Sequence, residues 1–221
     1  MTTAAILVAA GSSNRMGFDK LMAPLCGRTV LEWSLRAFQE CLEIDSAVLV
    51  CAASRIPEFS QLAAPFPKFR QIASGGAERS VSVLRGLQTL TSNPPDFVAV
   101  HDAARPLVTP ALIEKVVRAA QVHCAASAAH PVTDSLHRAD AAGFLGETIP
   151  RINLFAMETP QAARHDLLQA ALEAHHLGAT DEVSALIASG VHPFPVVHGE
   201  PNLKITFPRD LGLAEFYLKS L

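Results

Sequence analysis

The sequence predicts an α/β protein with a mainly parallel sheet and helices on both of its faces, and three observations carry that reading. The apolar runs Ala4-Ala5-Ile6-Leu7-Val8, Ala47-Val48-Leu49-Val50-Cys51 and Phe97-Val98-Ala99-Val100 are continuous, as in strands covered on both faces. Segments of helical periodicity separate them. The alternation persists from residue 4 to about residue 130, which suits successive crossovers between parallel strands. In such sheets ligands bind beyond the carboxyl ends of the strands, so the functional motifs are expected there.

The first strand, Ala4 to Val8, ends at Gly11. A helix follows Thr29, because Thr29-x-x-Glu32 forms a capping box and Val30, Trp33, Leu35, Ala37 and Phe38 supply an apolar face. Ala47 to Cys51 is the second strand and Phe69 to Ala73 the third. Val81, Leu84, Leu87 and Leu90 mark a helix over Ser80–Leu90, and Asn93-Pro94-Pro95 breaks the chain before the strand Phe97–Val100. Thr109-Pro110 pairs an N-cap with proline at the first helical position, opening a helix to about His123 with Leu112, Val116 and Ala119 inward. A strand over Ala125–Ala129 comes next. From Thr133 to Ile152 the periodicity weakens, and two glycines with mixed polarity mark a projecting β-hairpin arm. The remainder reads as a helix over Leu167–Leu177, a second helix that Thr180 caps with Asp181-Glu182 in its first turn, strands near Val196 and over Leu203–Thr206, and a closing helix from Pro208.

Composition narrows the function classes. With 221 residues, 49% apolar and 18% charged, the chain is too hydrophobic for disorder and long enough to bury a core without staples. The formal charge of −3 lacks the basic excess of a nucleic-acid binder, so any phosphate chemistry must come from a local cluster of cations. Cys26, Cys41, Cys51 and Cys124 form no CxxC pair, and most read as small core residues in a reducing compartment. The histidines offer no metal-binding spacing. The apolar run Ala4–Ala10 is too short to span a membrane and lacks a basic n-region, so a cytoplasmic protein is expected.

The first strand runs into Ala9-Ala10-Gly11-Ser12-Ser13-Asn14-Arg15-Met16-Gly17, followed by Lys20. A Walker A loop fails at Met16, and a GxGxxG fingerprint fails at Ser13 and Met16. What remains is a strand-end loop of small residues with exposed amides and the cations Arg15 and Lys20. That composition suits a triphosphate, the alternative being an ordinary loop with solvated charges. Asp102 lies just past a strand, where a lone carboxylate holds Mg²⁺ beside phosphate oxygens or else caps the turn. Gly75-Gly76 permits backbone to approach a flat base, or makes a plain turn, and Glu78-Arg79 equally reads as a solvated helix start. Lys204, between Leu203 and Ile205, projects opposite to its neighbours, into a cleft or into solvent.

The first loop with Lys20 resembles the nucleotide loop of the sugar-nucleotide and cytidylyltransferases. Four further segments are similar to the 2-C-methyl-D-erythritol 4-phosphate cytidylyltransferase family, in order along nearly the whole chain. They are Ser74-Gly75-Gly76-Ala77-Glu78-Arg79-Ser80, Val100-His101-Asp102-Ala103-Ala104-Arg105-Pro106, Ala179-Thr180-Asp181-Glu182, and Asn202-Leu203-Lys204-Ile205-Thr206 with Asp210-Leu211. The resemblance implies a single Rossmann-like nucleotidyltransferase domain over residues 1–221. It implies transfer of a cytidylyl group from CTP to a sugar-alcohol phosphate in non-mevalonate isoprenoid precursor synthesis, with release of pyrophosphate. It assigns catalysis to Arg15, Lys20, Arg151 and Lys204, and nucleotide binding to Ala9, Ala10, Gly11, Gly75, Gly76, Ser82 and Ala103. On the substrate side it places Asp102, Arg105, Ser135, Thr159 and Thr180, with Asp102 also holding Mg²⁺ or another divalent cation. Residues 133–152 would pack against a second subunit in a homodimer, bringing Arg151 to the partner's site. A nucleotidyltransferase for another polyol phosphate or molybdopterin, and a non-catalytic nucleotide-binding module, are the competing readings. Five positions depart from the family pattern: Ser13 for a glycine, Asp19 and Leu21 around Lys20 for a Pro-Lys-Gln element, Ala77 for an aspartate, and Ser135 for a threonine.

Overall fold

A computed structural model describes residues 1–11 and 16–220. Its strands are β1 (Thr3–Ala9), β2 (Pro24–Leu25), β3 (Arg28–Thr29), β4 (Ser46–Cys51), β5 (Gln71–Ser74), β6 (Phe97–Asp102), β7 (Ala125–Pro131), β8 (Leu136–Ala139), β9 (Leu145–Ile149), β10 (Phe155–Arg164) and β11 (Phe194–Val197). The α-helices are α1 (Val30–Glu40), α2 (Ile56–Ala63), α3 (Arg79–Thr89), α4 (Pro110–His123), α5 (His165–His175), α6 (Glu182–Ala188) and α7 (Arg209–Ser220). A seven-stranded sheet runs in the order β11-β7-β10-β6-β1-β4-β5. The pairs of β1 with β4 and β6, of β4 with β5 and of β7 with β11 are parallel, and β10 runs antiparallel to both its neighbours.

Strand pleating divides the core in two. On one face, Ala5 and Leu7 of β1 join Leu31, Leu35 and Phe38 of α1, Phe59 of α2 and Leu112, Ile113 and Val116 of α4. On the other, Ala4 and Ile6 join Val83 and Leu87 of α3, Leu168 and Leu172 of α5 and Leu186 of α6. Helices therefore cover both faces. The capping box at Thr29 is present with both of its hydrogen bonds, and Thr109 caps α4 through Leu112. Residues 133–152 carry the hairpin β8–β9, joined antiparallel and separate from the main sheet.

Several expectations need correction. Leu203–Thr206 forms no strand; Ile205 N–H donates to the Ala104 carbonyl at 2.8 Å, which pins the segment without a ladder. Asp181 caps α6 through the Ser184 amide, because its carboxylate reaches the N3 donor while Thr180 lies one residue outside. The third strand is Gln71–Ser74, since Phe69 belongs to the turn that precedes it. The strand β10 and helix α2 carried no periodic signal strong enough to predict. Cys41 and Cys51 are buried, but Cys26 is exposed and Cys124 ends α4 in the left-handed region at φ 68°. Among the described residues no helix is long and apolar enough to cross a membrane.

The face that α3 buries also differs from the predicted one. Val83, Gly86 and Leu87 are buried together with Ser82, while Val81 is half-buried. The cause is close approach: a Cβ at Gly86 would lie 2.8 Å from Ile6 Cγ2 and 3.1 Å from Val50 Cγ2. Gly86 thus lets α3 settle onto β1 and β4, and α3 carries Arg79 and Ser82 at its start. Replacing Gly86 by valine should lower stability by about 1–3 kcal/mol through overpacking. A lower urea midpoint with an unchanged m value would register that loss, and a midpoint equal to the parent's would contradict it.

Candidate active site

A pocket of about 360 Å³ opens at the carboxyl ends of β1 and β6. Its wall includes Ala9 from the end of β1, Ala10 and Gly11 from the loop that follows, Gly76 from the loop after β5, Arg79 from the start of α3, and Asp102 from the end of β6. Lys20, Ser82, Lys204 and Thr206 complete its polar lining, and Glu78 adds a second acid. The crossovers of a parallel sheet deliver these segments to one edge although they are far apart in sequence.

Asp102 is the electrostatic centre. Its Oδ1 accepts from Arg79 Nε at 2.7 Å, and its Oδ2 pairs with Lys204 Nζ at 2.6 Å. Burial alone would raise its pKa, but the positive charges of Arg79 and then Lys204 outweigh that cost and hold the carboxyl well below the usual carboxylate range. Arg79 is in turn gripped by Glu182 of α6, with Nη1–Oε1 at 2.7 Å and Nη2–Oε2 at 3.0 Å. Burial opposes its charge, yet the Glu182 and Asp102 carboxylates hold the guanidinium above the ordinary arginine value. Arg79 is 23% exposed at the side chain, so the solvated helix start is corrected: it is the hub between two carboxylates. Sequence offered no sign of the pairing, because Arg79 and Glu182 stand 103 residues apart.

Beneath the pocket a hydrogen-bond chain holds the turn after β6. The Asp102 N–H donates to Thr159 Oγ1 at 3.1 Å, and Thr159 Oγ1 lies 3.0 Å from His101 Nδ1. His101 Nε2 faces the Arg105 carbonyl at 3.3 Å, so it carries the proton, and Nδ1 accepts the Thr159 hydroxyl. Burial, opposed by Asp102, pushes the His101 pKa down to about 3, which keeps the ring neutral.

The glycine pair has a packing role as well. A Cβ at Gly75 would lie 2.4 Å from Ala10 Cβ, and one at Gly76 would lie 2.3 Å from Val81 Cγ1. Ser82 Oγ accepts from the Gly76 amide and donates to the Glu78 carbonyl, both at 3.0 Å. Lys20 Nζ donates to the Ile205 carbonyl at 3.0 Å, tying the first loop to the Lys204 segment. Asn202 anchors that segment from the other side, donating to Glu158 Oε2 at 2.6 Å and to the Thr159 carbonyl at 2.8 Å.

The structure thus gathers Ala9, Ala10, Gly11, Lys20, Gly76, Ser82, Asp102 and Lys204 around one pocket. Gly75 and Ala103 buttress it from behind, Ala103 N–H donating to the Val8 carbonyl. Arg105 donates to the Asn202 carbonyl at 2.7 Å, and burial lowers its pKa. Thr159 lies buried under Asp102 and outside the lining. Ser135, Arg151 and Thr180 are exposed and outside the lining too, and the Arg151 guanidinium donates to the Thr133 carbonyl at the base of the arm. Arg15 and Ser13 fall outside the described residues.

No cluster of three or more His, Cys, Asp or Glu residues with metal-site spacing exists among the described residues. Asp102 nonetheless suits a hard cation that keeps most of its shell as phosphate and water. Asp102 lines the pocket, and its Oδ2 is paired there with the side chain of Lys204, which is 37% exposed.

A parallel-sheet edge carrying glycine loops and a buried carboxylate paired with two cations suits nucleotidyl transfer, and the comparisons with known proteins make the chain a nucleotidyltransferase. A family model described as IspD, 2-C-methyl-D-erythritol 4-phosphate cytidylyltransferase, matches residues 3–220, and the chain belongs to that family. The chain is 40% identical to the enzyme of that name from Aromatoleum aromaticum, covering 97% of this chain and 94% of the relative. It is likewise 40% identical to the one from Symbiobacterium thermophilum, over 97% and 92%. Among solved structures, the 4-diphosphocytidyl-2C-methyl-D-erythritol synthase of Anaerococcus prevotii superposes with a TM-score of 0.86 at 26% identity, over 99% and 96% of the chains. The Thermus thermophilus cytidylyltransferase superposes at 0.79 with 30% identity, over 99% and 100%.

The neutral His101 predicts a pH effect. Its folded pKa of about 3 lies below the ordinary value of 6.5, so its contribution is complete above pH 6.5 and is lost as pH falls toward 3. Between pH 7 and pH 5 that loss should be about 2 kcal/mol, before Asp102, whose pKa is also lowered, adds its own loss at more acid pH. Urea unfolding of His101→Asn at both pH values should show a drop smaller than the parent's by that amount. Equal drops would remove His101 as the cause.

Proposed function

We propose that this pocket joins CTP to 2-C-methyl-D-erythritol 4-phosphate and releases pyrophosphate, the reaction for which its curated relatives are named. It is a step of the non-mevalonate isoprenoid pathway. The observation that carries the reading is the pairing of Arg79 and Lys204 with the buried carboxylate of Asp102, in a pocket at the strand ends that Lys20 also lines. The acceptor phosphate oxygen attacks the α-phosphorus in line, and pyrophosphate leaves. Such chemistry asks the protein for position and charge neutralisation and needs no covalent nucleophile.

In this reading Gly11 and its neighbours offer backbone amides to the triphosphate, and Lys20 and Arg15 neutralise charge gathering on the leaving pyrophosphate. The Gly75-Gly76 turn and Ser82 flank the base. Lys204 and Arg151 place the acceptor phosphate, Arg105 belongs to the substrate side behind the lining, where it holds the Asn202 carbonyl, and Thr159 supports the turn that presents Asp102. Asp102 would hold Mg²⁺, which when bound neutralises phosphate charge and polarises the reacting phosphorus. Lys20→Ala should lower turnover by about 10²–10³ with the fold intact, by analogy with other lost electrostatic donors. A panel of CTP, UTP, GTP and ATP against methylerythritol phosphate and ribitol phosphate tests the substrates. Preference for GTP, or activity confined to another acceptor, would overturn the assignment. Tight CTP binding without pyrophosphate release on any acceptor would make the protein a binding module.

The arm supplies the remaining cation. Phe144 and Leu145 on it are 73% and 76% exposed, and a two-stranded hairpin with such side chains is marginal alone. We infer a two-fold dimer in which each arm carries Arg151 to the partner's acceptor site. Mixing Lys20→Ala and Arg151→Ala proteins should then restore activity, since exchange leaves one site of each heterodimer intact. Failure to recover after demonstrated exchange would place Arg151 in its own subunit's site or in none.

A further inference from the structure

Glu182 lies on α6, is 1% exposed and is absent from the pocket lining. It takes both terminal nitrogens of Arg79, so Arg79 reaches Asp102 through Nε alone. That division decides how the two oxygens of Asp102 are used: Oδ1 goes to Arg79, and Oδ2 is left to Lys204. A guanidinium released from Glu182 would have its full fork available, and the preferred match of that fork is bidentate, on both oxygens of one carboxylate. The nearest such carboxylate is Asp102. From this geometry we infer that Glu182 is a positioning residue that restrains Arg79 and so reserves Asp102 Oδ2 for Lys204 and the substrates.

The restraint is itself held firmly. Asp181, beside Glu182, caps α6 through the Ser184 amide and accepts from Gln161 Nε2 at 3.0 Å. Gln161 Oε1 accepts from the Val183 amide at 3.1 Å. The start of α6 is therefore fastened to β10, on both sides of Glu182.

The inference rests on Asp102 and Lys204 being site residues, and its test reads Lys204 directly, whatever the substrates are. Native protein is labelled briefly with acetic anhydride, and acetylation is quantified lysine by lysine by mass spectrometry. In Glu182→Gln the Lys204 amine loses its partner, and its labelling should rise several-fold. Lys68, whose ammonium donates to the Phe38 and Cys41 carbonyls and whose own carbonyl accepts from Ala47 at the amino-terminal end of β4, should not change. Adding Arg79→Lys to Glu182→Gln removes the fork, because an ammonium cannot bind two oxygens as a planar pair. Lys204 labelling should then return toward the parent's. Turnover should follow the same order: kcat down about tenfold in Glu182→Gln with KM for CTP within about threefold, and partial recovery in the double variant. Glu182→Asp, which withdraws the carboxylate by one methylene, should shift labelling in the same direction and serves if Glu182→Gln does not fold. Unchanged Lys204 labelling, a rise shared by Lys68, or a double variant worse than the single would each overturn the inference. A parent protein inactive on CTP and methylerythritol phosphate would instead overturn the substrate assignment and leave the labelling result standing.

Discussion

A buried carboxylate at the end of β6 governs the site. Asp102 is 7% exposed, and a charge so placed is stable only if neighbouring groups compensate it. The compensation comes from elements that do not touch in sequence: Arg79 from α3 and Lys204 from the segment before α7. Arg79 is then a half-buried cation with a similar need, which Glu182 of α6 meets. Four charges of alternating sign therefore link four parts of the chain, and removing one leaves its neighbour exposed to the full cost of desolvation. The carboxyl edge of the sheet owes its arrangement to this row.

Small residues make the row possible. Gly86 brings α3 onto β1 and β4, and Gly75 brings its loop against Ala10, so Arg79 arrives within reach of Asp102. Backbone approach of this kind leaves no slack for a side chain, which ties packing in the core to geometry in the pocket. The uncharged chain from Asp102 N–H through Thr159 to His101 then fixes the turn from below. Its histidine stays neutral because it is buried, and a neutral ring is needed to donate at one nitrogen and accept at the other.

The arm follows a different logic. The hairpin β8–β9 pairs with itself, and its ion pair between Arg138 and Glu147 is exposed, a type of contact that adds little. Its apolar side chains face solvent in the single chain. A body held by buried charges and close packing thus carries an appendage with Phe144 and Leu145 exposed, which the proposed dimer would cover.

Much of this was legible in the residues. Continuous apolar runs identified β1, β4 and β6 because strands buried on both faces have no polar side to show. The capping box at Thr29 and the Thr109-Pro110 start are local signals and stand where the sequence puts them. The motifs around Gly11, Gly75, Asp102 and Lys204 pointed to one edge, since a parallel sheet gathers its strand ends there. Other features depended on distant partners. β10 was hidden because it fills the gap between β6 and β7, a place defined only by those strands. Leu203–Thr206 has the alternation of a strand, but the neighbour it meets is a loop, so one bond to Ala104 replaces a ladder. Glu78-Arg79 read equally as a solvated helix start, because the carboxylates that bind Arg79 stand 23 and 103 residues away in sequence. Its partners come from the ends of β6 and the start of α6, and burial among them is a property of the folded chain alone.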